Sequence, residues 1–258
     1  MRTPIEPDPL LESRLDIMAC SRCALGSTRR AACPGNGSAS ASVFVIGEAP
    51  GRQDDKSGSV FTGDPGRLLD RWLKRAGLTV DECFFTNVLK CAPLKEAERD
   101  DGSTYLKMSF PEDDPEPVEK CLKWFRAQMK VVEPLAVVLI GQRALEHVLL
   151  PNAVGQARPF APWVGKLCRR RDKYGEIRFA SIMKPGRFVR SPNPYDEAAC
   201  IESLTRVRDY VRAVQKGRMP PLEDLHEVKG VTPPQYQHRI RLFGRPKPGQ
   251  PPQPEGTK

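Results

Sequence analysis

Four of the eight cysteines have the spacing expected of a metal centre. Cys20 and Cys23 form a C-x-x-C pair near the N-terminus, and Cys91 and Cys121 follow as single, distant cysteines. Four thiolates arranged in this way can hold one iron–sulfur cluster or one zinc ion. Zinc sites more often contain two C-x-x-C pairs, whereas this chain has one. The remaining cysteines are expected to be small buried side chains or free thiols: Cys33, Cys83, Cys168 and Cys200.

A loop that contains several glycines follows the first apolar run of the sequence. It begins Gly47-Glu48-Ala49-Pro50-Gly51 and extends to Gly58, about twice the usual length of a strand-to-helix connection. Such a loop is rigid and lets backbone N–H groups approach a ligand closely. Phe61 comes next, and it is either a stacking platform for a ring or an anchor of the loop.

Asn87 lies at the end of the second apolar run, within Thr86-Asn87-Val88. Its amide offers both a donor and an acceptor, so it can make two hydrogen bonds to the edge of a nucleic-acid base. Asparagine is also a common cap at the end of a strand. The residue type alone therefore leaves both roles open.

Strand-like and helical segments alternate between these motifs. Short apolar runs predict four buried strands, at residues 42–47, 83–89, 135–140 and 178–183. Helical spacing of apolar residues predicts helices at 64–76, 118–132, 142–150 and 196–215. This alternation predicts an α/β fold of three layers, with a central, mostly parallel four-stranded sheet between helices. Ligands of such folds bind at the carboxyl ends of the strands.

Composition divides the chain of 258 residues into one domain with polar ends. Residues 1–13 are a polar lead-in, and residues 14–216 carry the alternating pattern. Within that domain, residues 95–117 are charged and predict an inserted surface loop. Residues 217–258 contain nine prolines with many basic residues, which predicts a disordered basic tail.

The charge balance favours a polyanionic partner. Lys and Arg outnumber Asp and Glu by 41 to 32, which gives a net charge of +9. Such an excess attracts phosphate groups, although a basic tail on an ordinary protein would produce the same balance. No apolar run approaches the about 20 residues that cross a bilayer, and the N-terminus has no apolar signal core. We therefore expect no membrane association and a cytoplasmic location.

Together, the motifs resemble those of the family-4 uracil-DNA glycosylases, the iron–sulfur members of the uracil-DNA glycosylase superfamily. The resemblance covers roughly residues 14–213 and rests on ordered, regularly spaced motifs. The insertion lengthens the gap between Cys91 and Cys121 relative to the usual pattern. The matching features are Gly47-Glu48-Ala49-Pro50-Gly51, Gly58-x-x-Phe61-x-Gly63, Thr86-Asn87-Val88-x-Lys90-Cys91 and the four spaced cysteines.

The resemblance implies hydrolysis of the N-glycosidic bond of deoxyuridine in DNA, which leaves an abasic site for base-excision repair. It implies a monomeric, nucleoid-associated enzyme that binds uracil-containing DNA. It also implies a structural [4Fe–4S] cluster, with zinc as the alternative. The implied ligands of that cluster are Cys20, Cys23, Cys91 and Cys121.

The resemblance also assigns roles to the loop residues. Phe61 would stack on the uracil ring and Asn87 would hydrogen-bond to its edge, after the base has left the duplex. Glu48 and Asp54 are the first candidates to position the attacking water, and Asp55 is the next. The alternative for each acid is an ordinary solvated loop charge. The residues implied to line the substrate pocket are Gly47, Ala49 and Pro50.

One motif departs from the family pattern. The family's third motif begins His-Pro-Ser and ends Leu-Arg, whereas this chain has Lys184-Pro185-Gly186-Arg187-Phe188-Val189-Arg190. None of the three histidines, His147, His226 and His238, lies in register to replace the missing one. Lys184 would therefore contact either the departing uracil or a DNA phosphate.

The rest of this segment is expected to contact DNA. Arg187 and Arg190 would hold phosphates, and Phe188 would insert into the gap left by the flipped base. Because the histidine is missing, the alternative function is a catalytically weak or inactive iron–sulfur DNA-binding member of the same fold. A zinc-stabilised nucleic-acid module is a further alternative.

Overall fold

The structure is a computed structural model that describes residues 8–111, 114–149, 160–172, 175–218 and 226–227. Its strands are β1 (Val43–Gly47), β2 (Cys83–Asn87), β3 (Leu94–Glu98), β4 (Thr104–Met108), β5 (Ala136–Ile140), β6 (Leu167–Asp172), β7 (Gly175–Ile182) and β8 (His226–Glu227). Its α-helices are α1 (Leu11–Met18), α2 (Leu25–Thr28), α3 (Arg52–Ser57), α4 (Asp64–Ala76), α5 (Glu116–Val132), α6 (Gln142–Leu149), α7 (Pro185–Arg190) and α8 (Pro194–Gln215).

The central sheet has the strand order β2-β1-β5-β7-β6-β8. The four predicted strands are β2, β1, β5 and β7, and all three pairings between them are parallel. The predicted number of four strands is wrong, because β6 adds an antiparallel fifth strand and β8 adds a two-residue pairing beyond it. The sequence of β6, Leu-Cys-Arg-Arg-Arg-Asp, lacks the apolar run that marks a buried strand.

Helices cover both faces of this sheet. Successive side chains of a strand point to opposite faces. Phe44 and Ile46 of β1 accordingly pack with Phe125 of α5, while Val43 and Val45 belong to a second buried cluster. That second cluster includes Trp72 of α4 and Leu204 of α8. The predicted three-layer arrangement is therefore confirmed.

The structure describes parts of the two segments that flank the predicted domain. Helix α1 begins at Leu11 within the supposed lead-in, and Leu10 and Ile17 are buried in the core. The predicted disordered tail contributes β8, and its residues 219–225 and 228–258 lie outside the described part of the chain. In the described ranges, no helix is long and apolar enough to cross a membrane.

The insertion at residues 95–117 contains a β-hairpin where the sequence predicted an irregular loop. Strands β3 and β4 pair antiparallel, from Leu94 opposite Met108 to Glu98 opposite Thr104. Both strands are largely exposed, so neither carries the apolar alternation that identifies a half-buried strand. Residues 112 and 113 lie outside the described ranges.

An aromatic contact fixes the end of the insertion to helix α6. The Phe110 ring stacks on His147 with 5.7 Å between ring centroids. The Arg143 guanidinium lies over the same ring, 4.7 Å from its centroid. Burial, with a smaller effect of Arg143, lowers the pKa of His147 to about 4. His147 is therefore neutral at physiological pH, and its protonation would oppose this contact.

This contact predicts an acid-sensitive contribution to stability. As pH falls below 6.5, the unfolded chain binds a proton at His147 before the folded chain does, because the folded-state pKa is lower. At pH 5 this difference should cost the wild type about 1–2 kcal/mol relative to pH 7. His147→Phe keeps a ring stacked on Phe110 but has no titrating group at this position. Between pH 7 and pH 5, its free energy of unfolding should therefore fall by about 1–2 kcal/mol less than that of the wild type. Urea unfolding at both pH values measures this difference. Equal losses in the two proteins would contradict this role of His147.

Candidate functional site

The carboxyl ends of β1 and β2 bring three of the predicted site residues together. Gly47 and Asn87 are register partners at the last positions of these strands. A Cβ on Gly47 would lie 2.3 Å from Asn87 Oδ1 and 3.0 Å from Phe61 Cζ. The first distance is shorter than real Cβ contacts and the second is at their tight limit, so a side chain at Gly47 would displace the Asn87 amide. The residue type at Gly47 therefore decides whether Phe61 and Asn87 can converge.

Asn87 carries an unsatisfied buried donor. The residue is 2% exposed, and its Nδ2 has no hydrogen-bond partner among the residues that the structure describes. Buried polar atoms without a partner are rare because desolvation costs about 1–3 kcal/mol each. A ligand with a carbonyl oxygen at this point would satisfy the donor.

Lys90 stabilises the backbone of Asn87 through a buried hydrogen bond. Its ammonium is 1% exposed and donates to the Asn87 carbonyl at 2.8 Å, Thr86 Oγ1 at 2.5 Å and Gln128 Oε1 at 2.9 Å. Gln128 Nε2 in turn donates to the Pro34 carbonyl at 2.5 Å. Burial lowers the pKa of Lys90 to about 7. Sequence analysis missed this role, because lysine is usually an exposed side chain and nothing in its pattern marks it as buried.

Phe61 adopts a backbone conformation that is unusual for a residue with a side chain. Its φ is +56°, in the left-handed region, which costs of order 1 kcal/mol or more. Its ring packs edge-on against Phe85 at 6.0 Å. Gly66 of α4 lies against the Phe61 backbone, where a Cβ would be 1.7 Å from the Phe61 carbonyl oxygen. Packing against the helix thus holds the ring beside Gly47.

Glu48 lies at the start of helix α6, beside the end of β5. Its side chain is 10% exposed; Oε2 accepts from Lys184 Nζ at 3.0 Å and Oε1 accepts from the Arg143 backbone N–H at 3.2 Å. The positive end of a helix dipole favours a carboxylate there. A Cβ on Gly141 would lie 2.3 Å from Glu48 Oε1, so this approach also requires glycine.

Asp54 and Asp55 accept hydrogen bonds from backbone N–H groups and so stabilise the loop. Asp54 is buried; its Oδ2 accepts from Gly51 N–H at 2.9 Å, and its Oδ1 accepts from Thr62 N–H at 2.8 Å and Thr62 Oγ1 at 2.7 Å. Asp55 is 2% exposed and accepts from the Arg30 N–H at 3.0 Å. These contacts favour a role in holding the loop, and Glu48 is the acid that faces the neighbouring helices. Of the other predicted pocket residues, Pro50 is buried and Ala49 half-buried.

Helix α7 presents charges to solvent and buries its aromatic residue. Lys184 lies at its N-cap, and Arg187 pairs with Asp196 at 3.2 Å. Arg190 is exposed, and its contact with a DNA phosphate stays a prediction. The predicted insertion of Phe188 into DNA is wrong, because Phe188 is 3% exposed and packs edge-on against Trp72 at 5.0 Å.

The exposed apolar residue of α7 is its neighbour, Val189, which is 45% exposed. Sequence analysis gave this residue no role. The two side chains have equally apolar character, so the sequence alone could not say which of them the helix turns toward the core.

The four spaced cysteines line one pocket. Cys20, Cys23, Cys91 and Cys121 share its wall with Arg22, Arg29, Lys90 and Lys120. Arg29 Nη1 donates to Cys91 Sγ at 3.0 Å. Four thiolates surrounded by four cations form a donor set suited to a negatively charged metal–thiolate centre.

Whether these thiols hold an iron–sulfur cluster or a zinc ion stays a prediction. Among the described residues, no group of three or more His, Cys, Asp or Glu side chains is arranged to hold a metal ion. Burial raises the pKa of Cys121 to about 11 and also raises that of Cys91, so metal binding would have to release protons.

The other four cysteines are buried, as predicted. Burial raises the pKa of Cys33, Cys83 and Cys200 to about 12 and that of Cys168 to about 11. Their thiols are therefore protonated and inert at neutral pH.

Gly66 offers a direct test of how the Phe61 ring is held. Gly66→Ala should lower the free energy of unfolding by about 3 kcal/mol or more, because the new methyl group overlaps the Phe61 backbone. Gly186→Ala is the matched control, since its Cβ would lie 3.5 Å from Pro65 Cγ, an ordinary contact. Both can be measured by denaturant unfolding, and similar stability of the two variants would refute the close approach.

Comparison with known proteins places these residues in a family context. A family model described as the uracil DNA glycosylase superfamily matches residues 34–205, two thirds of the chain. The matched range includes the whole Gly47–Asn87 region together with Cys91 and Cys121, and Cys20 and Cys23 precede it.

Several curated proteins are similar to this chain. A Type-4 uracil-DNA glycosylase of Archaeoglobus fulgidus is 33% identical over 52% of this chain and 60% of its own length. One of Sulfurisphaera tokodaii is 30% identical over 55% of this chain and 58% of its own length. One of Thermotoga maritima is 27% identical over 50% of this chain and 60% of its own length. The chain thus spans less than two thirds of these relatives, but the family match is extensive, and the chain belongs to the uracil DNA glycosylase superfamily.

Proposed function

We propose that this protein hydrolyses the N-glycosidic bond of deoxyuridine in DNA. The observation that carries the proposal is the buried Asn87 amide: its Nδ2 has no partner among the described residues, and its Oδ1 lies nearest to Gly47, beside the Phe61 ring. Uracil has the chemistry that such a site requires, since it offers a flat ring for stacking and carbonyl oxygens for the amide donor. The names of the similar proteins support the same substrate.

The base must first leave the duplex to reach Asn87. Phe61 then stacks on its ring, and Asn87 Nδ2 donates to a carbonyl oxygen. As the bond from C1′ of the sugar to N1 of uracil breaks, its electron pair moves onto the base, and the Asn87 donor stabilises the resulting negative charge. Water adds to C1′, and its released proton balances the charge on the uracil. The products are free uracil and an abasic site.

Glu48 is the acid best placed to act on the water and the cationic sugar. Its carboxylate carries the ion pair with Lys184 at 3.0 Å, and the Lys184 side chain is 58% exposed, so this contact can rearrange when DNA binds. A carboxylate at this point can orient the water and offset positive charge at C1′. Asp54 supports the loop that carries Glu48. The Lys184 ammonium then contacts either the uracil anion or a phosphate.

We propose that the cysteine pocket holds a [4Fe–4S] cluster. Cys20, Cys23, Cys91 and Cys121 would be its ligands, and the four surrounding cations would offset the negative charge of the thiolates. Bound there, the cluster would tie the N-terminal segment to the segment after β2 and to helix α5. Because Lys90 lies beside Cys91 and also holds Asn87, the tie extends to the base pocket.

The alternative function is a DNA-binding protein with weak or no glycosylase activity. The observation that favours it is Lys184, which stands at the position of the motif histidine. Its ammonium forms an ion pair with Glu48. On this view, the chain binds damaged or single-stranded DNA through α7 and the same pocket.

A uracil-release assay on single-uracil oligonucleotides separates the two functions. Asn87→Ala should lower the single-turnover rate at saturating enzyme by about a hundredfold, because one preorganised donor is lost. Glu48→Gln should have an effect of similar size, and Asp54→Asn a smaller one, since an amide oxygen can still accept from Thr62. DNA binding without uracil release by the wild type would overturn the proposal in favour of the alternative.

The cluster proposal has its own spectroscopic test. Purified protein should be brown, with iron and sulfide in a ratio near one, and Cys121→Ala should lose the colour and much of its thermal stability. Cys168→Ala is the matched control, since that thiol is also buried but lies outside the pocket. Zinc in place of iron, or a full chromophore in Cys121→Ala, would contradict the assignment.

A further inference from the structure

The hairpin of β3 and β4 flanks the candidate site on the side opposite helix α7. Strand β2 is the edge of the sheet, and the chain passes from its carboxyl end through residues 88–93 into the hairpin. Helix α7 follows the carboxyl end of β7, and the ends of β1 and β5 lie between the two. DNA that delivers a base to Asn87 and contacts α7 must therefore cross toward the hairpin.

The two faces of the hairpin carry opposite charges. Side chains that share a face are two residues apart along a strand and directly opposite each other across it. One face has three exposed cations and no acid, and it consists of Lys95, Ala97, Arg99, Ser103, Tyr105 and Lys107. The other face has two exposed acids and no cation, and it consists of Leu94, Glu96, Glu98, Thr104, Leu106 and Met108. We call the first of these the cationic face.

Arg99 is ordered on this face before any partner binds. Its guanidinium lies 4.8 Å from the centre of the Tyr105 ring, and its Nη1 donates to Ser103 Oγ at 3.1 Å. Its remaining N–H groups are available for a phosphate, which a guanidinium binds in a fork geometry. The turn beyond contains Asp100 and Asp101, and Asp101 is occupied by the N–H and hydroxyl of Ser103.

The hairpin is also fixed to both walls of the site. The bonds from Arg99 N–H to Ser103 O and from Ser109 N–H to Pro93 O mark the odd-numbered pairs as the hydrogen-bonded ones. The Leu106 carbonyl therefore points outward from β4, where Arg52 of α3 donates to it. Together with the contact of Phe110 on α6, this bond holds the hairpin against α3 and α6.

We propose that the cationic face of this hairpin binds the DNA phosphate backbone and extends the footprint beyond α7. The proposal rests on the proposed function for its partner, since DNA is then the polyanion at this edge. Three cations with no acid among them match a row of phosphates, whereas the acidic face would be repelled. Lys95 and Lys107 are direct register partners, so two like charges lie side by side, an arrangement that a bound anion stabilises.

The test is the salt dependence of binding to a short, uracil-free duplex. The triple variant Lys95→Ala, Arg99→Ala, Lys107→Ala should bind at least about tenfold more weakly at low salt, and its slope of log K against log salt should be shallower by about 2–3. The control removes the same charge from three exposed lysines distant from the hairpin, with Lys74→Ala, Lys130→Ala, Lys216→Ala. These three lie near the C-terminal ends of α4, α5 and α8.

Each outcome decides the proposal. A loss confined to the hairpin variant, with its single-turnover uracil release at saturating enzyme unchanged, supports it. Equal binding by the hairpin and control variants overturns it. Since the probe lacks uracil, failure of the wild type to release uracil would reject the proposed function without affecting this comparison. A second variant, Lys95→Arg with Lys107→Arg, keeps the charge and should bind as the wild type does.

Discussion

The close approach of β1 and β2 at their carboxyl ends is the constraint on which the candidate site depends. Gly47 faces Asn87 across the parallel ladder, and a side chain on Gly47 would overlap both the Asn87 amide and the Phe61 ring. Gly141 has a similar effect, because its lack of a side chain lets the Glu48 carboxylate reach the start of α6. The absence of a Cβ at these two positions thus lets the Asn87 amide, the Phe61 ring and the Glu48 carboxylate lie at the same end of the sheet.

A buried polar network connects this crevice to the cysteine pocket. Lys90 donates to Asn87, Thr86 and Gln128, and its neighbour in sequence, Cys91, lines the pocket with Cys121. Burying an ammonium is costly, and three hydrogen bonds compensate for it only when all the acceptors stay in place. The position of Asn87 is therefore coupled to the packing of α5 and the cysteines, which explains why a structural cluster would matter to a pocket that it does not touch.

Sequence patterns predicted the parts of the fold that bury apolar residues. The four parallel strands follow from apolar runs, whereas a shared site for Gly47, Phe61 and Asn87 was implied by the family resemblance. Strand β6 escaped prediction because it is rich in arginine, and the hairpin escaped because its strands are exposed, so neither shows an apolar period. Phe188 was expected at the surface. Its burial depends on a contact with Trp72, which is distant in sequence and which no local pattern reveals. The burial of Lys90 likewise depends on Gln128 of α5, which no local pattern reveals.

The most direct test of the central claim is the nuclear magnetic resonance signal of the Asn87 side-chain amide during a titration with free uracil. The Asn87 Nδ2 protons, which lack a partner in the described structure, should shift downfield and saturate with the bound fraction. The amide of Asn36, which donates to Ser59 Oγ at 2.8 Å on the surface, should stay in place as an internal reference. Saturable uracil binding that leaves the Asn87 signal unchanged would contradict the assignment of this amide to the base.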